Sequence, residues 1–435
     1  MILFLFLQNI VIFHYVKNKA LRIPNFIDEY ISLTSNFNFW KTLDFNAGDV
    51  FGGSYSIYLT SGPISNIGGV IGWNGYADLG ISRVYNFYWV VLLQIVLSYL
   101  IVRSYGGSFK FLLVFNTLSI VLIPWWQGSL YMIGEIPSII ILINSFFLFN
   151  KKRNIALIFI SVSIFFGKLL NILPFSIFYI VLFILEKNYK RITQDIIYFS
   201  IPIVLWLGLV NFNYQGGNLQ NYIVDLFNLI SNHQSSGISR DQNIFSLSNF
   251  NSSEASSWNN YELIRILIAP FLFFIILFRN KSNVINFFGN ILYPLAFSTI
   301  GTYIWFWILS PTKWMRYSQH FIVVVLISIL YFINFEIIKT KFDLFLISSI
   351  LFLYIDNQKS LILFGILSLF YFLFILKKQY NQFFLGYLLS LIVLADLFIP
   401  FLNTNTQNKL EIKLVNCEDN LVSEYCLLEY EQLRD

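Results

Sequence analysis

The sequence predicts an all-α membrane protein that crosses the bilayer many times, and its composition is the first reason. Apolar residues make up 57% of the 435 residues and charged residues only 12%, whereas charged residues form about 25% of a typical soluble domain. A single globular core has no room for so much apolar surface. The net charge of +5 must therefore be interpreted relative to the membrane, and it gives no reason to expect a nucleic-acid partner.

Long apolar runs are the second reason, because each approaches the length of a helix that spans a bilayer. We count about 13 of them. The first begins at residue 1 with no basic region or small-residue cleavage site, so we expect a span and not a cleaved signal. Two neighbouring runs, 155–166 and 172–185, also fit one broken hairpin. In chain order, the predicted spans are 1–16, 84–102, 111–123, 136–149, 155–166, 172–185, 193–212, 262–278, 284–309, 317–335, 342–354, 361–376 and 384–402.

The third reason is that basic residues alternate between the connections. Every second connection is short and holds two or three Lys or Arg residues, and the others are longer and poor in cations, apart from Lys17, Lys19 and Arg22. The positive-inside rule places the basic set in the cytoplasm. We therefore expect a multi-pass protein of a bacterial inner membrane, with a cytoplasmic N-terminus and an extracytoplasmic C-terminus. The basic connections are 103–110, 150–154, 186–191, 279–283, 336–341 and 377–382.

This topology predicts one transmembrane domain, 1–402, and a short outer tail, 403–435. Its first outer loop, 17–83, is too long for a simple connector, so we expect it to be structured. The second long outer loop, 213–261, is rich in Ser and Asn in its latter half, which is typical of a mobile segment. Spans 3 to 13 lack the interior charges and the internal repeat that would favour an ion-coupled transporter.

Acidic residues at the outer ends of spans are the first candidates for catalysis. Asp28 and Glu29 follow the first span in "RIPNFIDEYISL", and Asp44 and Asp49 follow in "KTLDFNAGDVFGG". Glu135 precedes Pro137 at the outer mouth of the span 136–149. Each acid fits a solvated helix start or turn. Asp28, Glu29 and Glu135 also fit a catalytic role, since a carboxylate beside a cavity can take a proton from an acceptor hydroxyl or amine.

Cations at the outer ends of spans are the second group of candidates, because they oppose the overall bias of charge. One interpretation is that they reach towards the phosphates of membrane lipids. The other is that they bind a substrate phosphate or pyrophosphate, since Lys and Arg are the usual partners of such oxygens. The residues in question are Lys168, Arg265, Lys313 and Arg316, with Tyr317 beside the last of them.

No metal site or bound cofactor is predicted from the residues. The three histidines, His14, His233 and His320, are too far apart in the chain for ligand spacing. The sequence also lacks a phosphate-binding loop, a dinucleotide fingerprint and a zinc motif. Whether a divalent cation takes part is left open by the sequence.

The order and side of these motifs resemble the GT-C class of membrane glycosyltransferases. The similarity is greatest to the branch that contains the protein mannosyltransferases and the lipid A aminoarabinose transferase. It covers most of the chain in topology, although the motifs themselves are short. They are the acidic pair Asp28-Glu29, the element Thr60-Ser61-Gly62-Pro63, the element Gly134-Glu135-Ile136-Pro137, Lys168 in an outer turn, and Arg316-Tyr317 at the start of a late span.

The resemblance implies a GT-C-like fold and transfer of a sugar from a polyprenyl-phosphate donor on the outer face of the membrane. It implies that Asp28 activates the acceptor, which would be a glycolipid, a polysaccharide or a protein, and that Lys168 and Arg316 hold the donor phosphate. Glu29, Asp44 and Asp49 remain further candidates for the base. The chain differs from many members in having only a short segment after the last span, where they have a large soluble domain.

Two other functions remain open from the sequence. An O-antigen-type polymerase or ligase is also a multi-span protein with cations on its outer face, but it would want paired arginines in large outer loops, and 213–261 holds only Arg240. A transporter of lipid-linked sugars would place functional charge inside the spans, where this sequence has little.

Overall fold

The structure is a computed structural model of the chain. Most of the described residues lie in helices, numbered α1 to α13 in chain order. The residues that the structure describes are 12–13, 16–17, 20, 27–43, 62–73, 79–109, 111–113, 116, 132, 134–214, 217–235, 262–306, 319–338, 340–353, 413–414 and 428–429.

The longer helices alternate with short connections, as the sequence predicts. Helix α5 continues as a π-helical turn, Ser163–Gly167, and α6 is preceded by a 3₁₀ turn, Leu169–Asn171. A second 3₁₀ turn, Gly289–Ile291, joins α10 to α11. The helices are α1 (Ile27–Thr42), α2 (Ile67–Gly72), α3 (Leu79–Tyr105), α4 (Glu135–Leu148), α5 (Arg153–Val162), α6 (Ile172–Glu186), α7 (Tyr189–Asn213), α8 (Leu219–Ser235), α9 (Glu262–Arg279), α10 (Lys281–Phe288), α11 (Leu292–Ile304), α12 (Gln319–Asn334) and α13 (Lys341–Leu353).

Helices α4 and α12 form the centre of the bundle, because neither has an open face. Every residue of α4 is buried, and so is α12 from Gln319 to Ile333. The two helices pack on each other near their C-terminal ends, where the rings of Phe147 and Tyr331 lie 4.9 Å apart. A helix that is apolar on all sides requires neighbours on all sides. The other helices supply them and in turn face outward.

The outward faces of the surrounding helices are apolar. Large exposed side chains on α7, for example, include Ile197, Val204 and Phe212. A water-soluble protein rarely exposes such continuous apolar surface, whereas a lipid-facing helix requires it. Within the described residues, the helical stretches both long and apolar enough to span a membrane are Leu79–Tyr105, Leu169–Glu186, Tyr189–Asn213 and Lys281–Ile304.

A polar cluster lies within the apolar interior and joins α3, α4 and α12. The hydroxyl of Tyr331 donates to Asn144 Oδ1 at 2.6 Å and lies 3.2 Å from Ser98 Oγ. Asn144 Nδ2 donates to Gln94 Oε1 at 3.3 Å, and Gln94 Nε2 donates to Ser98 Oγ at 2.7 Å. Buried polar groups are costly without such partners. The cluster therefore fixes how the three helices are rotated relative to one another.

The basic connections among the described residues meet at one end of the bundle, which we call the basic end. The hydroxyl of Tyr105 donates to the carbonyl of Phe147 at 3.0 Å, and Lys151 Nζ lies 5.2 Å above the ring of Tyr105. Asn283 Nδ2 donates to the carbonyl of Ile337 at 3.1 Å. The alternation expected from the sequence therefore holds in three dimensions for these connections. Which side of the membrane the basic end faces remains a prediction.

One guanidinium ties three helices together at the basic end. Arg153 Nε donates to Asp195 Oδ1 at 2.8 Å, and its Nη1 donates to Glu186 Oε2 at 2.7 Å. The hydroxyl of Tyr179 also donates to Asp195, at 2.9 Å. The guanidinium lies 4.8 Å above the ring of Phe149. Arg153 belongs to α5, Glu186 to α6 and Asp195 to α7, so these contacts fix the three helices relative to one another.

The fold class is confirmed for the described residues, which are nearly all helical. The exception is a pair of two-residue strands, β1 (Lys413–Leu414) and β2 (Leu428–Glu429), which pair antiparallel within the tail. Helix α3 begins before the predicted span 84–102, and α8 occupies the first half of the loop 213–261. The latter half of that loop and the predicted spans 361–376 and 384–402 lie outside the described residues, so the count of 13 remains a prediction.

We expect the substitution Arg153→Met to lower the free energy of unfolding by about 3–5 kcal/mol, because it leaves the buried carboxylate of Asp195 without its cation. The midpoint of thermal unfolding in detergent measures the effect. Arg191→Met is the matched control, since Arg191 is an exposed arginine near the same end. Equal midpoints for the two variants would contradict this account of the basic end.

Candidate functional site

A buried ion pair lies at the end of the bundle opposite the basic end, which we call the site end. Arg83 Nε donates to Glu29 Oε1 at 3.1 Å, and Arg83 Nη2 donates to Glu29 Oε2 at 2.5 Å. The side chains are 1% and 0% exposed. Arg83 Nη1 also donates to the carbonyl of Ala20, and the backbone N–H of Met132 donates to Glu29 Oε1 at 3.2 Å. The pair thus joins α1 and α3 to the chain leading into α4.

Arg83 is a residue that the sequence analysis missed. It lies near the start of α3, at the end of that helix where the connections carry few cations. A lone arginine that breaks the charge bias at the start of a span was the available signal. Bidentate pairing of this kind fixes direction as well as distance, so the orientation of α1 follows from the contact. Both oxygens of Glu29 accept hydrogen bonds, Oε1 from Arg83 and Met132 and Oε2 from Arg83.

The second ion pair of the site end joins two residues that the sequence analysis singled out. Lys168 Nζ lies 3.8 Å from Glu135 Oε1, and the side chains are 15% and 4% exposed. This separation is too long for a hydrogen bond but short enough for strong attraction away from bulk water. The two charges come from the first turn of α4 and from the segment 163–171 between α5 and α6, which we call the tip.

Local backbone geometry accounts for the position of Glu135. Gly134 adopts the left-handed conformation, with φ 79°, immediately before α4. Glycine takes that conformation without steric cost. Pro137 lies within the first turn, where no backbone N–H is needed for the helix. The carboxylate of Glu135 therefore lies at the positive end of the helix dipole.

The Gly-Pro element before α2 packs directly on the tip that carries Lys168. The N–H of Gly62 donates to the carbonyl of Gly167, and the N–H of Ile64 donates to that of Phe166 at 3.0 Å. A Cβ on Gly62 would come within 2.2 Å of the backbone carbon of Phe166. The close backbone approach is the physical reason for glycine at this position.

Two tryptophans hold the other side of the same element. Trp40 Nε1 donates to the carbonyl of Pro63 at 2.9 Å, and Trp89 Nε1 donates to the carbonyl of Ile64 at 3.0 Å. These indoles come from α1 and α3. The Gly-Pro element is thus a junction between α1, α3 and the tip, and all three approach the Glu135–Lys168 pair through it.

A further junction links the first loop to the entrance of α4. Asn66 Nδ2 donates to Ser32 Oγ and to the carbonyl of Met132, both at 2.8 Å. Ser32 is one helical turn after Glu29 on α1. The described parts of the predicted loop 17–83 therefore attach at several points to the site end. Residues 18–19, 21–26, 44–61 and 74–78 of this loop lie outside the described residues.

The structure brings together three of the residues that we predicted from the sequence: Glu29, Glu135 and Lys168. Glu29 reaches the others through Met132, three residues before Glu135. Asp28 lies in the first turn of α1 and Arg265 in the first turn of α9, but their side chains lie outside the described residues. The other predicted residues that lie outside the described part of the chain are Asp44, Asp49, Lys313, Arg316 and Tyr317.

The described residues contain no group of three or more His, Cys, Asp or Glu side chains arranged to hold a metal ion. The described side chains at the site end offer the chemistry of acids and cations. A carboxylate can accept a proton, and an ammonium beside the N-terminus of α4 can stabilise an anion.

We expect Arg83→Gln to lower the free energy of unfolding by about 3–5 kcal/mol, because Glu29 would remain buried without its cation. The double variant Glu29→Gln/Arg83→Gln should recover part of that loss, since it removes both charges. Thermal unfolding of the two single variants and the double variant measures the coupling. Additive losses would argue against a direct ion pair.

We expect Gly62→Ala to destabilise the protein by about 1–3 kcal/mol, because the added methyl group overlaps the backbone of the tip. Gly208→Ala is the control, since a Cβ there meets nothing within 4 Å and alanine favours a helix. The midpoints of thermal unfolding of the two variants measure the difference in stability. A stable Gly62→Ala protein would mean that the junction is looser than described.

No protein family model matches the chain, and no curated protein matches its sequence. Two solved structures match its fold, and both are of ArnT from Cupriavidus metallidurans, a lipid A aminoarabinose transferase of the GT-C class. The apo structure superposes with a TM-score of 0.58 at 12% identity, covering 92% of this chain and 76% of ArnT. The structure bound to undecaprenyl phosphate superposes with a TM-score of 0.55 at the same identity and coverage. The chain therefore shares its fold with ArnT at low sequence identity, which agrees with the resemblance given by the motifs.

Proposed function

We propose that the protein is a membrane glycosyltransferase that moves a sugar from a polyprenyl-phosphate donor to an acceptor on the outer face of the membrane. The observation that carries this proposal is the Glu135–Lys168 pair, with nitrogen and oxygen 3.8 Å apart, in a fold shared with ArnT. One of the ArnT structures contains undecaprenyl phosphate, which supports a lipid of this class as the donor carrier.

Lys168 is the proposed anchor of the donor phosphate. Its ammonium is largely withdrawn from water, so its attraction for an anion is screened less than at a surface. The N-termini of α4 and α12 both lie beside the tip, and helix N-termini favour anions. Arg316 and Tyr317 precede α12 by a few residues, and we assign them to the same phosphate. Lys313 and Arg265 are further candidates for this role.

Asp28 is the proposed base that activates the acceptor. It neighbours Glu29 on α1, so the Glu29–Arg83 pair fixes the position of the backbone that carries Asp28. We assign Glu29 this positioning part, since its oxygens already accept from Arg83 and Met132. Asp44 and Asp49 remain alternative bases.

Glu135 is the proposed partner that holds the Lys168 ammonium in place. Its carboxylate faces that ammonium from the first turn of α4, which is itself buried on every side. A charge held by such a rigid helix needs little reorganisation during the reaction. The donor phosphate and Glu135 would then approach Lys168 from different directions.

A single displacement accounts for the transfer. The oxygen or nitrogen of the acceptor attacks the anomeric carbon of the donor sugar, and the bond between that carbon and the phosphate oxygen breaks. The acceptor proton goes to Asp28, and the electron pair leaves with the polyprenyl phosphate, whose charge Lys168 stabilises. One displacement inverts the anomeric configuration, so an α-linked donor gives a β-linked product.

We expect Asp28→Asn to lower the turnover number by about 100-fold or more while leaving the affinity for the donor nearly unchanged, because it removes only the base. Lys168→Met should instead weaken donor binding by about tenfold, the loss of one charge-assisted contact. A labelled polyprenyl-phosphate sugar in detergent measures both quantities. Lys190→Met, an exposed lysine at the basic end, is the control. Full transfer by both Asp28→Asn and Glu135→Gln would overturn the mechanism.

The products separate this proposal from the two other functions. A glycosyltransferase adds one sugar and releases polyprenyl phosphate, whereas an O-antigen-type polymerase yields a ladder of repeat units. A transporter moves the labelled lipid across a vesicle membrane without breaking it. Intact donor after incubation with every acceptor class, together with movement across the vesicle, would favour transport.

A further inference from the structure

The tip between α5 and α6 is an unusual piece of backbone. A π-helical turn, Ser163–Gly167, follows α5 directly, and Lys168 comes next in an extended conformation with φ −133° and ψ 120°. The N–H of Lys168 donates to the carbonyl of Ser163 at 2.8 Å. A π-helical turn is less favourable than an α-helical turn and is frequent at functional sites. Some other contact must therefore hold this turn in its wide form.

Asn171 closes the tip from both ends. Its backbone N–H donates to the carbonyl of Lys168 at 3.0 Å, and its Nδ2 donates to the carbonyl of Ser163 at 3.1 Å. The residue is 0% exposed, so water cannot replace these bonds. One side chain thus spans the turn that displays Lys168.

His320 holds Asn171 in that position. Its Nε2 lies 2.7 Å from Asn171 Oδ1. The donor contact to Ser163 assigns the amide orientation of Asn171, since only Nδ2 can donate to a carbonyl. Oδ1 is then an acceptor, and His320 Nε2 must carry the proton. A chain of hydrogen bonds therefore runs from His320 through Asn171 to the carbonyl of Ser163.

The ring of His320 is itself fixed by the centre of the bundle. It belongs to the first turn of α12 and is 4% exposed. Because α12 is packed on every side, the imidazole has little freedom to move. The contact joins the late central helix to the tip, although the two residues are 149 positions apart in the chain.

We propose that Asn171 and His320 form a positioning pair that holds the Lys168 ammonium where it meets the donor phosphate. This inference rests on the proposed function. Neither residue touches the substrate in this account; both act through the backbone of the tip. Their loss would let the π-helical turn relax and would move the ammonium away from Glu135.

A merely structural role predicts a different pattern from a positioning role. Asn171 and His320 act through Lys168. Replacing either of them should therefore have no further effect on phosphate binding in a protein that already lacks Lys168. His320→Gln keeps an amide N–H near the position of Nε2 and should therefore restore binding, whereas His320→Leu cannot. A general loss of stability would affect both backgrounds and would not be rescued in this way.

The test measures binding of polyprenyl monophosphate, without a sugar, to the purified full-length protein in detergent. We expect His320→Leu and Asn171→Leu to weaken binding by about tenfold and His320→Gln to bind within about twofold of the unchanged protein. In the Lys168→Met background, His320→Leu should change nothing. Asn211→Leu, an exposed asparagine on α7, is the control. Unchanged binding by His320→Leu, or an equal loss in both backgrounds, would overturn the inference.

Hydrogen exchange of the backbone amides of 163–171 is the second readout, and it requires no ligand. His320→Leu should speed exchange at this segment, and Asn211→Leu should not. If the unchanged protein binds no polyprenyl monophosphate, the proposed function fails, and the phosphate part of this inference fails with it. If exchange at the tip is the same in His320→Leu, the positioning pair is refuted, whatever the protein binds.

Discussion

The buried Glu29–Arg83 pair is the contact on which the architecture of the site end depends. Two unit charges far from water are stable only when their hydrogen-bonding positions are filled, and here the backbone of Ala20 and Met132 completes the pair. A segment outside the central bundle is thereby joined to α3 and to the entrance of α4. The Gly-Pro element, the tryptophans of α1 and α3, and the tip with Lys168 can then pack against one another as one unit.

The buried ion pairs of the bundle differ in length, and we assign them different roles. At the basic end, Arg153 satisfies two carboxylates from neighbouring helices, and that arrangement serves to hold helices together. At the site end, Lys168 and Glu135 approach each other at a distance longer than a hydrogen bond. Strong, short pairs restrain a scaffold, whereas the longer pair beside the N-terminus of α4 is the one to which we assign the donor phosphate. The short Glu29–Arg83 pair is a restraint of the same kind as the contacts of Arg153, and the longer Glu135–Lys168 pair is the one that we assign to function.

The sequence predicted the helical class and the alternation of the connections, and it singled out Glu135 and Lys168 separately, because each leaves a local signal. Apolar length, clustered cations and a charged residue on the unexpected side can all be read along the chain. The pairing of Glu29 with Arg83 and of Asn171 with His320 could not be predicted in this way. These contacts depend on which helix faces meet, and that is decided by packing across the whole bundle. The observed helix boundaries also differ from the predicted ones, because a polar residue such as Arg83 can join a helix when its partner is buried beside it.

The burial of α4 and α12 on every side has a consequence for how the protein is made. The ribosome delivers α4 long before α12, so α4 must first contact lipid on the face that α12 later covers. The polar side chain of Asn144 would then lie in the hydrocarbon before Tyr331 of α12 is present to bond to it. Exchange of those lipid contacts for helix contacts must therefore occur late, after most of the chain has been inserted. Assembly of the site is consequently coupled to completion of the bundle, and a truncated chain would carry the right residues without their arrangement.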